Sequence, residues 1–232
     1  MTKHDSTLKQ KSTAIKHIQD IYQSLYKHYG DLHWWPADSP YEVMVGAILT
    51  QNTVWSNVEM AISNFEGKLS PEYILSISEE QLIDLIRPAG FFNQKSRYLV
   101  NVTEWFKQYQ FDTEQVKQIP FDPLRKELLA IKGVGKETAD SILLYAFGYP
   151  TFVIDAYTYR VCERYGVTDS KNYDSVKQLF EEAIEKDVDV YNAYHAMVVM
   201  NAKEFCRKKP KCDGCPLYAK CNYASEMYLR ER

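Results

Sequence analysis

Four of the chain's five cysteines, Cys206, Cys212, Cys215 and Cys221, fall within sixteen residues. In a reducing compartment such a cluster points to metal ligation rather than disulfides. The last part of the chain is therefore expected to close as a loop around a metal centre. Tetrathiolate sites suit Zn²⁺ as well as an iron–sulfur cluster, and spacing alone leaves both open. Residues 1–17 carry no apolar core or small-residue cleavage site. No uninterrupted apolar run approaches the ~18–20 residues of a membrane span. A soluble, cytoplasmic protein with no membrane partner is expected. Cys162, between Val161 and Tyr165 on an expected helix, is read as a buried thiol.

The rest of the chain is punctuated as helices. Ser39-Pro40-Tyr41-Glu42 offers an N-cap, a proline at the first helical position and a capping-box glutamate. The apolar run 43–49 after it reads as a buried helix. Ser70-Pro71, Ser78-x-x-Gln81 and Asp122-Pro123 repeat the start signal ahead of apolar residues spaced three to four apart. Residues 8–29 form an amphipathic helix through Leu8, Ile15, Ile18, Tyr22, Leu25 and Tyr26. No alternating strand run occurs, so the expectation is an all-α fold. At 232 residues and 45% hydrophobic the chain can bury a substantial core. A Trp/Pro-rich loop at 31–40 and a crossover at Gly148-Tyr149-Pro150 divide it. Residues 38–149 would form one helical domain, and residues 1–37 with 150–232 a second.

Residues 128–145 (LLAIKGVGKETADSILLY) read as helix, tight hairpin, helix. Gly133 and Gly135 are expected to permit positive φ and close backbone approach. The amides of Val134, Gly135, Lys136 and Thr138 at the start of the second helix would suit an anionic oxygen. On DNA that oxygen belongs to a phosphate, contacted without base readout. Beyond the hairpin, Val153-Ile154-Asp155 leads into a helix, with Asp155 placed as its N-cap.

The hairpin, the Asp155 segment and the cysteine spacing together resemble the endonuclease III superfamily of helix–hairpin–helix DNA glycosylases. The resemblance implies a two-domain all-α fold that acts on double-stranded DNA containing a damaged base. It implies a catalytic role for Asp155 and a [4Fe–4S] cluster on Cys206, Cys212, Cys215 and Cys221, with zinc the alternative. The first gap, C-x5-C, is one residue shorter than the family's usual spacing. A monovalent cation at the hairpin is the further ligand it allows. Family members that also cut the backbone carry a lysine two residues after the second hairpin glycine. Here that position is Glu137, which implies a monofunctional glycosylase without lyase activity.

The patterns Trp34-Trp35-Pro36, Leu49-Thr50-Gln51-Asn52 and Trp55 are similar to the superfamily's 3-methyladenine subgroup. That similarity implies a base pocket of Trp34, Trp35, Pro36 and Trp55, with Gln51 and Asn52 entering the duplex gap. N3-methylation makes adenine cationic, so an aromatic face attracts it by roughly 0.5–2 kcal/mol and the base leaves readily. Net charge is −3, yet three basic runs, Arg87/Lys95/Arg97, Arg125/Lys126/Lys132/Lys136 and Lys203–Lys220, suit a phosphate-tracking face. The expected protein is a monomer associated with a bacterial nucleoid. Two alternatives stand beside it: a glycosylase for oxidised pyrimidines or mismatches, and a non-catalytic iron–sulfur DNA-binding module.

Overall fold

A computed structural model of the chain describes residues 3–32, 35 and 37–230. Thirteen α-helices are described, with no strand among the described residues. The chain divides into two compact units, Trp35–Tyr149 and Met1–Trp34 with Pro150–Arg232. No helix among the described residues is long and apolar enough to cross a membrane.

The first unit, Trp35–Tyr149, is organised around α2 (Pro40–Leu49). Ser39 Oγ accepts from the Glu42 amide at 3.1 Å, and Pro40 costs no hydrogen bond at the first helical position. Tyr41 and Val43 through Leu49 are all buried, so α2 is the hydrophobic axis of the unit. Around it lie α3 (Trp55–Ser63), α4 (Pro71–Ser76), α5 (Glu79–Ile86), α6 (Phe92–Lys107), α7 (Thr113–Val116), α8 (Phe121–Ala130) and α9 (Lys136–Ser141). The reciprocal capping box forms at Ser78 and Gln81, with bonds of 3.2 and 2.9 Å. The helix expected at Asp122-Pro123 starts at Phe121 instead. Both residues sit in its first turn, where a proline's missing N–H has no helical acceptor to lose.

The second unit holds α1 (Lys3–Tyr29), α10 (Ala156–Tyr165), α11 (Tyr173–Ala183), α12 (Val188–Glu204) and α13 (Asn222–Arg230). The buried stripe of α1 is Ala14, Ile18, Ile21 and Leu25, whereas Leu8 and Tyr26 point to solvent. The expected stripe was thus partly rotated, because several apolar residues of α1 compete and only packing on α11 and α12 chooses. Phe152 stacks on Phe180 at 4.4 Å and meets Tyr191 and Tyr194 edge-on. That aromatic block buries the extended segment Thr151–Ile154. Side chains satisfy its backbone where no sheet exists. The Phe152 amide donates to Glu181 Oε1 at 2.9 Å, and the Ile154 amide to the Tyr173 hydroxyl at 3.4 Å.

Candidate functional site

The segment Thr151–Ile154 delivers Asp155 to the N-cap of α10. Its Oδ1 accepts from the Thr158 amide at 2.7 Å and from Thr158 Oγ1 at 2.8 Å. Oδ2 faces His195 Nε2 of α12 across 3.7 Å, an ion-pair distance longer than a hydrogen bond. Asp155 is only 9% exposed. Burial pushes its carboxyl up, but the facing imidazole of His195 and the two bonds from Thr158 outweigh it, so Asp155 lies below the ordinary carboxylate range. The result is a dry, ionised carboxylate with one oxygen fixed and the other facing a single histidine. Sequence reasoning missed His195, which lies forty residues further along the chain.

In the unit Trp35–Tyr149, α8, the turn 131–135 and α9 form the expected hairpin, and α9 widens into a π turn over Ile142–Ala146. The two glycines serve different ends. Gly133 has φ +103°, and an added Cβ would meet the Tyr98 ring at 2.2 Å. Gly135 has φ −90°, open to any residue, and a Cβ there would meet nothing within 4 Å. Positive φ was expected at both and is found at Gly133 alone. The chain's direction reverses at Gly133, and by Gly135 it is already extended into the N-cap of α9. Val134 is buried, while Gly135, Lys136 and Glu137 are exposed. The first-turn amides of a helix have no acceptor within it, so this tip can offer N–H groups to an outside anion. Beneath the tip, Arg125 binds buried Asp140 through two bonds, 2.7 and 3.0 Å.

The α2–α3 turn joins this hairpin. Gln51 Nε2 donates to the Gly133 carbonyl and to Thr138 Oγ1, both at 3.0 Å. Asn52 is exposed at φ +54°, at the tip of the turn. Gln51, Asn52, Gln94, Tyr98 and the hairpin tip line an open groove of about 1000 Å³. Lys95, expected on a basic face, is instead 2% exposed. Its Nζ donates to the Leu49 and Ala89 carbonyls at 2.8 Å each, and burial pulls its pKa down to about 8. It closes the C-terminal end of α2 just ahead of Gln51. Arg87 and Arg97 are paired with Asp84 and Glu79. The basic surface is therefore smaller than the sequence implied, because carboxylates and carbonyls that the chain brings near absorb those charges. Lys126, Lys132 and Lys136 stay exposed on one unit, and Arg207, Lys208, Lys209 and Lys211 on the other.

Trp35, at φ +80°, packs against Tyr145 at 4.6 Å and meets Trp55 edge to face at 5.5 Å. No base fits between those two indoles at that separation, so Trp35 backs the aromatic wall. Trp55 is fixed through Nε1 to Glu59 at 2.9 Å. Tyr145 is a wall residue the pocket assignment left out. Trp34 and Pro36 lie outside the described residues.

Cys206, Cys212, Cys215 and Cys221 all line one cavity. Among the described residues no three His, Cys, Asp or Glu side chains converge tightly enough to hold a single metal ion. Burial pushes the Cys215 thiol up to about 11, with the neighbouring thiols adding to it. A bound cation would reverse that. Arg164 of α10 grips the loop, donating to Cys206 Sγ at 3.3 Å and to the Arg207 and Lys208 carbonyls. Arg160 donates to the Cys206 carbonyl at 2.6 Å. Cys162 is buried as expected, and burial pushes its thiol up to about 12.

Residues 45–186 match the family described as HhH-GPD superfamily base excision DNA repair protein. A Methanocaldococcus jannaschii protein, provisionally named a DNA repair glycosylase, is 49% identical over 216 residues, covering 91% of this chain and 98% of that protein. Endonuclease III of Sulfolobus acidocaldarius is 31% identical over 79% of this chain and 82% of its own. The H. pylori 3-methyladenine DNA glycosylase bound to 1,N6-ethenoadenine superposes with a TM-score of 0.70 at 27% identity, covering 82% of this chain and 97% of that one. An endonuclease III–DNA complex shares the fold, with a TM-score of 0.80 over 93% of this chain and 98% of that one, at 22% identity.

Proposed function

Because the chain belongs to the HhH-GPD superfamily of base excision DNA repair proteins, we propose that it hydrolyses the N-glycosidic bond of an alkylated purine such as 3-methyladenine in duplex DNA. The observation that carries this reading is Asp155, a largely buried carboxylate held ionised by His195 and Thr158. As the bond from sugar C1′ to the base breaks, its electron pair leaves with the base and positive charge spreads over C1′ and the ring oxygen. An ionised carboxylate in a dry site stabilises that charge. Water then bonds to C1′ and gives its proton to the carboxylate. An N3-methylated adenine departs neutral, so no general acid is needed.

The remaining residues have matching tasks. The hairpin tip, Val134, Gly135, Lys136 and Thr138, holds a backbone phosphate through its amides, with exposed lysines adding salt-dependent affinity. Asn52 at the turn tip enters the gap left by the flipped nucleotide. Gln51 follows once it releases Gly133 and Thr138. The aromatic wall of Trp35, Trp55 and Tyr145 favours a cationic base, in keeping with the similarity to the H. pylori 3-methyladenine glycosylase. Glu137 cannot form an imine, so the strand stays uncut.

The four cysteines would hold a [4Fe–4S] cluster. A single zinc ion draws its four sulfurs to within about 3.8 Å of one another, from a Zn–S distance of about 2.3 Å. These four thiols line one cavity, and the similarity to endonuclease III favours the cluster over zinc. When bound, such a group supplies cross-links that fix the loop. Arg160 and Arg164 join the loop to α10, whose N-cap is Asp155.

The test is to incubate the protein with N-methylated duplex, separate the liberated bases and inspect the strands. Release of 3-methyladenine from uncut strands supports the proposal. Release of oxidised pyrimidines alone, from a parallel oxidised duplex, would move the chain to the endonuclease III-like reading. Iron and sulfide content with absorbance near ~400 nm tests the cluster.

A further inference from the structure

α12 buries apolar side chains around most of its length and, besides two tyrosines, two polar ones, His195 and Asn201. Each faces one of the two sites on this unit. Asn201 Oδ1 lies 3.6 Å from Cys215 Sγ, and His195 Nε2 lies 3.7 Å from Asp155 Oδ2. A histidine in an apolar core costs free energy unless something there uses its charge or its hydrogen bonds. The His195 side chain is 6% exposed and Phe152 covers it edge-on at 6.4 Å. Asp155 Oδ1 is already committed to two bonds from Thr158, both within its own helix cap. Oδ2 has no other polar partner among the described residues. The oxygen that must face the reacting sugar is thus the one the helix cap leaves unsupported.

We infer that His195 is a positioning residue for the reaction, holding Asp155 Oδ2 in place and ionised from a separate helix. This rests on the glycosylase reading of Asp155. Thr158 fixes the direction of the carboxylate, and His195 compensates for its removal from water. Without the imidazole, desolvation would favour the neutral acid, which cannot stabilise an oxocarbenium-like sugar.

The other ionisable groups around the segment do not replace it. From α10, Cys162 is buried and its thiol pushed up to about 12, so it is uncharged near neutral pH. From α11, Lys177 pairs with Glu181 at 3.6 Å, Glu181 accepts from the Phe152 amide, and Tyr173 accepts from the Ile154 amide. From α12, burial pushes the Tyr191 and Tyr194 hydroxyls up, so both are neutral.

The test does not depend on knowing the lesion. Two duplexes are compared, one with a cationic pyrrolidine in place of the target sugar and one with a neutral tetrahydrofuran. The ratio of their affinities is followed from pH 4.5 to 8.5 for the unmodified protein, His195→Gln, His195→Asn and Asp155→Asn. The unmodified protein is expected to favour the cationic duplex at least tenfold, and Asp155→Asn to lose that preference at every pH. The unmodified protein should keep it across the whole range, whereas the glutamine and asparagine variants should keep it at pH 8 but lose it with a midpoint above pH 4.5. A merely structural histidine would lower both affinities together and leave the preference intact down to pH 4.5, which overturns the inference. An unmodified protein with no charge preference instead overturns the assignment of Asp155. If both histidine variants unfold, NMR of the unmodified protein decides: a His195 imidazole resonance that shifts as the Asp155 carboxyl titrates supports the inference, and one that does not respond overturns it.

Discussion

Replacing Gly133 by alanine should be the most damaging single methyl addition in the hairpin. Two independent costs combine. A φ of +103° is strained for any L side chain, by about 1–3 kcal/mol. The new Cβ would also sit 2.2 Å from two atoms of the Tyr98 ring and 2.6 Å from a third. That ring cannot slide aside freely, because its hydroxyl is bonded to Gln94. Overpacking of this kind costs about 1–3 kcal/mol more. The sum is about 2–6 kcal/mol, or a fall in Tm of roughly 4–24 °C for a chain of this size. Urea unfolding of the four proteins in the cycle Gly133→Ala, Tyr98→Ala and their combination separates the terms. Removing the ring should recover the packing part and leave the backbone part. A Gly133→Ala protein within 0.5 kcal/mol of the unmodified one would refute the reasoning, as would a cycle with no coupling between the two positions.

Gly135→Ala should behave in the opposite way, since its φ is ordinary and its surroundings open. Stability should stay within about 1 kcal/mol, while affinity for duplex DNA, read by fluorescence anisotropy, falls at least fivefold because the methyl blocks phosphate approach. Arg125→Leu should cost about 3–5 kcal/mol in urea unfolding by leaving Asp140 charged and buried. Lys95 gives a pH signature. Between pH 8 and its ordinary value of 10.5 the unfolded chain holds a proton that the folded one has released, so stability rises with pH through that window. Below pH 8 the whole cost of burying the ammonium, about 3 kcal/mol, is carried. The difference in unfolding free energy between the unmodified protein and Lys95→Met should therefore shift in favour of the unmodified protein from pH 8 to 10.5. A flat difference would contradict it.

What the sequence disclosed was mostly local. Ser39-Pro40, Ser70-Pro71 and Ser78/Gln81 announce helix starts because a cap involves neighbours three residues apart. The buried run of α2 and the helix, turn and helix around Gly133 were visible for the same reason. Asp155 was recognisable as an N-cap, and the structure gives it that geometry. Features that depend on distant partners were not visible. Lys95 looked like surface charge until the carbonyls of Leu49 and Ala89 enclosed it. Gly133 gave no hint of Tyr98, thirty-five residues earlier. His195 gave no signal of its own, because the carboxylate it faces lies forty residues earlier. In α1 the period was right and the face only partly so, with Ile18 and Leu25 buried but Leu8 and Tyr26 exposed, since helical spacing fixes which residues align but not which row a neighbouring helix covers.

The central claim is that the ionised Asp155 carboxylate performs the base release, and single-turnover kinetics on an N-methylated duplex tests it most directly. Asp155→Asn keeps an N-cap of equal quality, so its fold and its affinity for duplex DNA should match those of the unmodified protein within about twofold. Its rate of 3-methyladenine release should fall on the order of 100- to 1000-fold. An asparagine protein that binds DNA normally and releases the base at the unmodified rate would contradict the account.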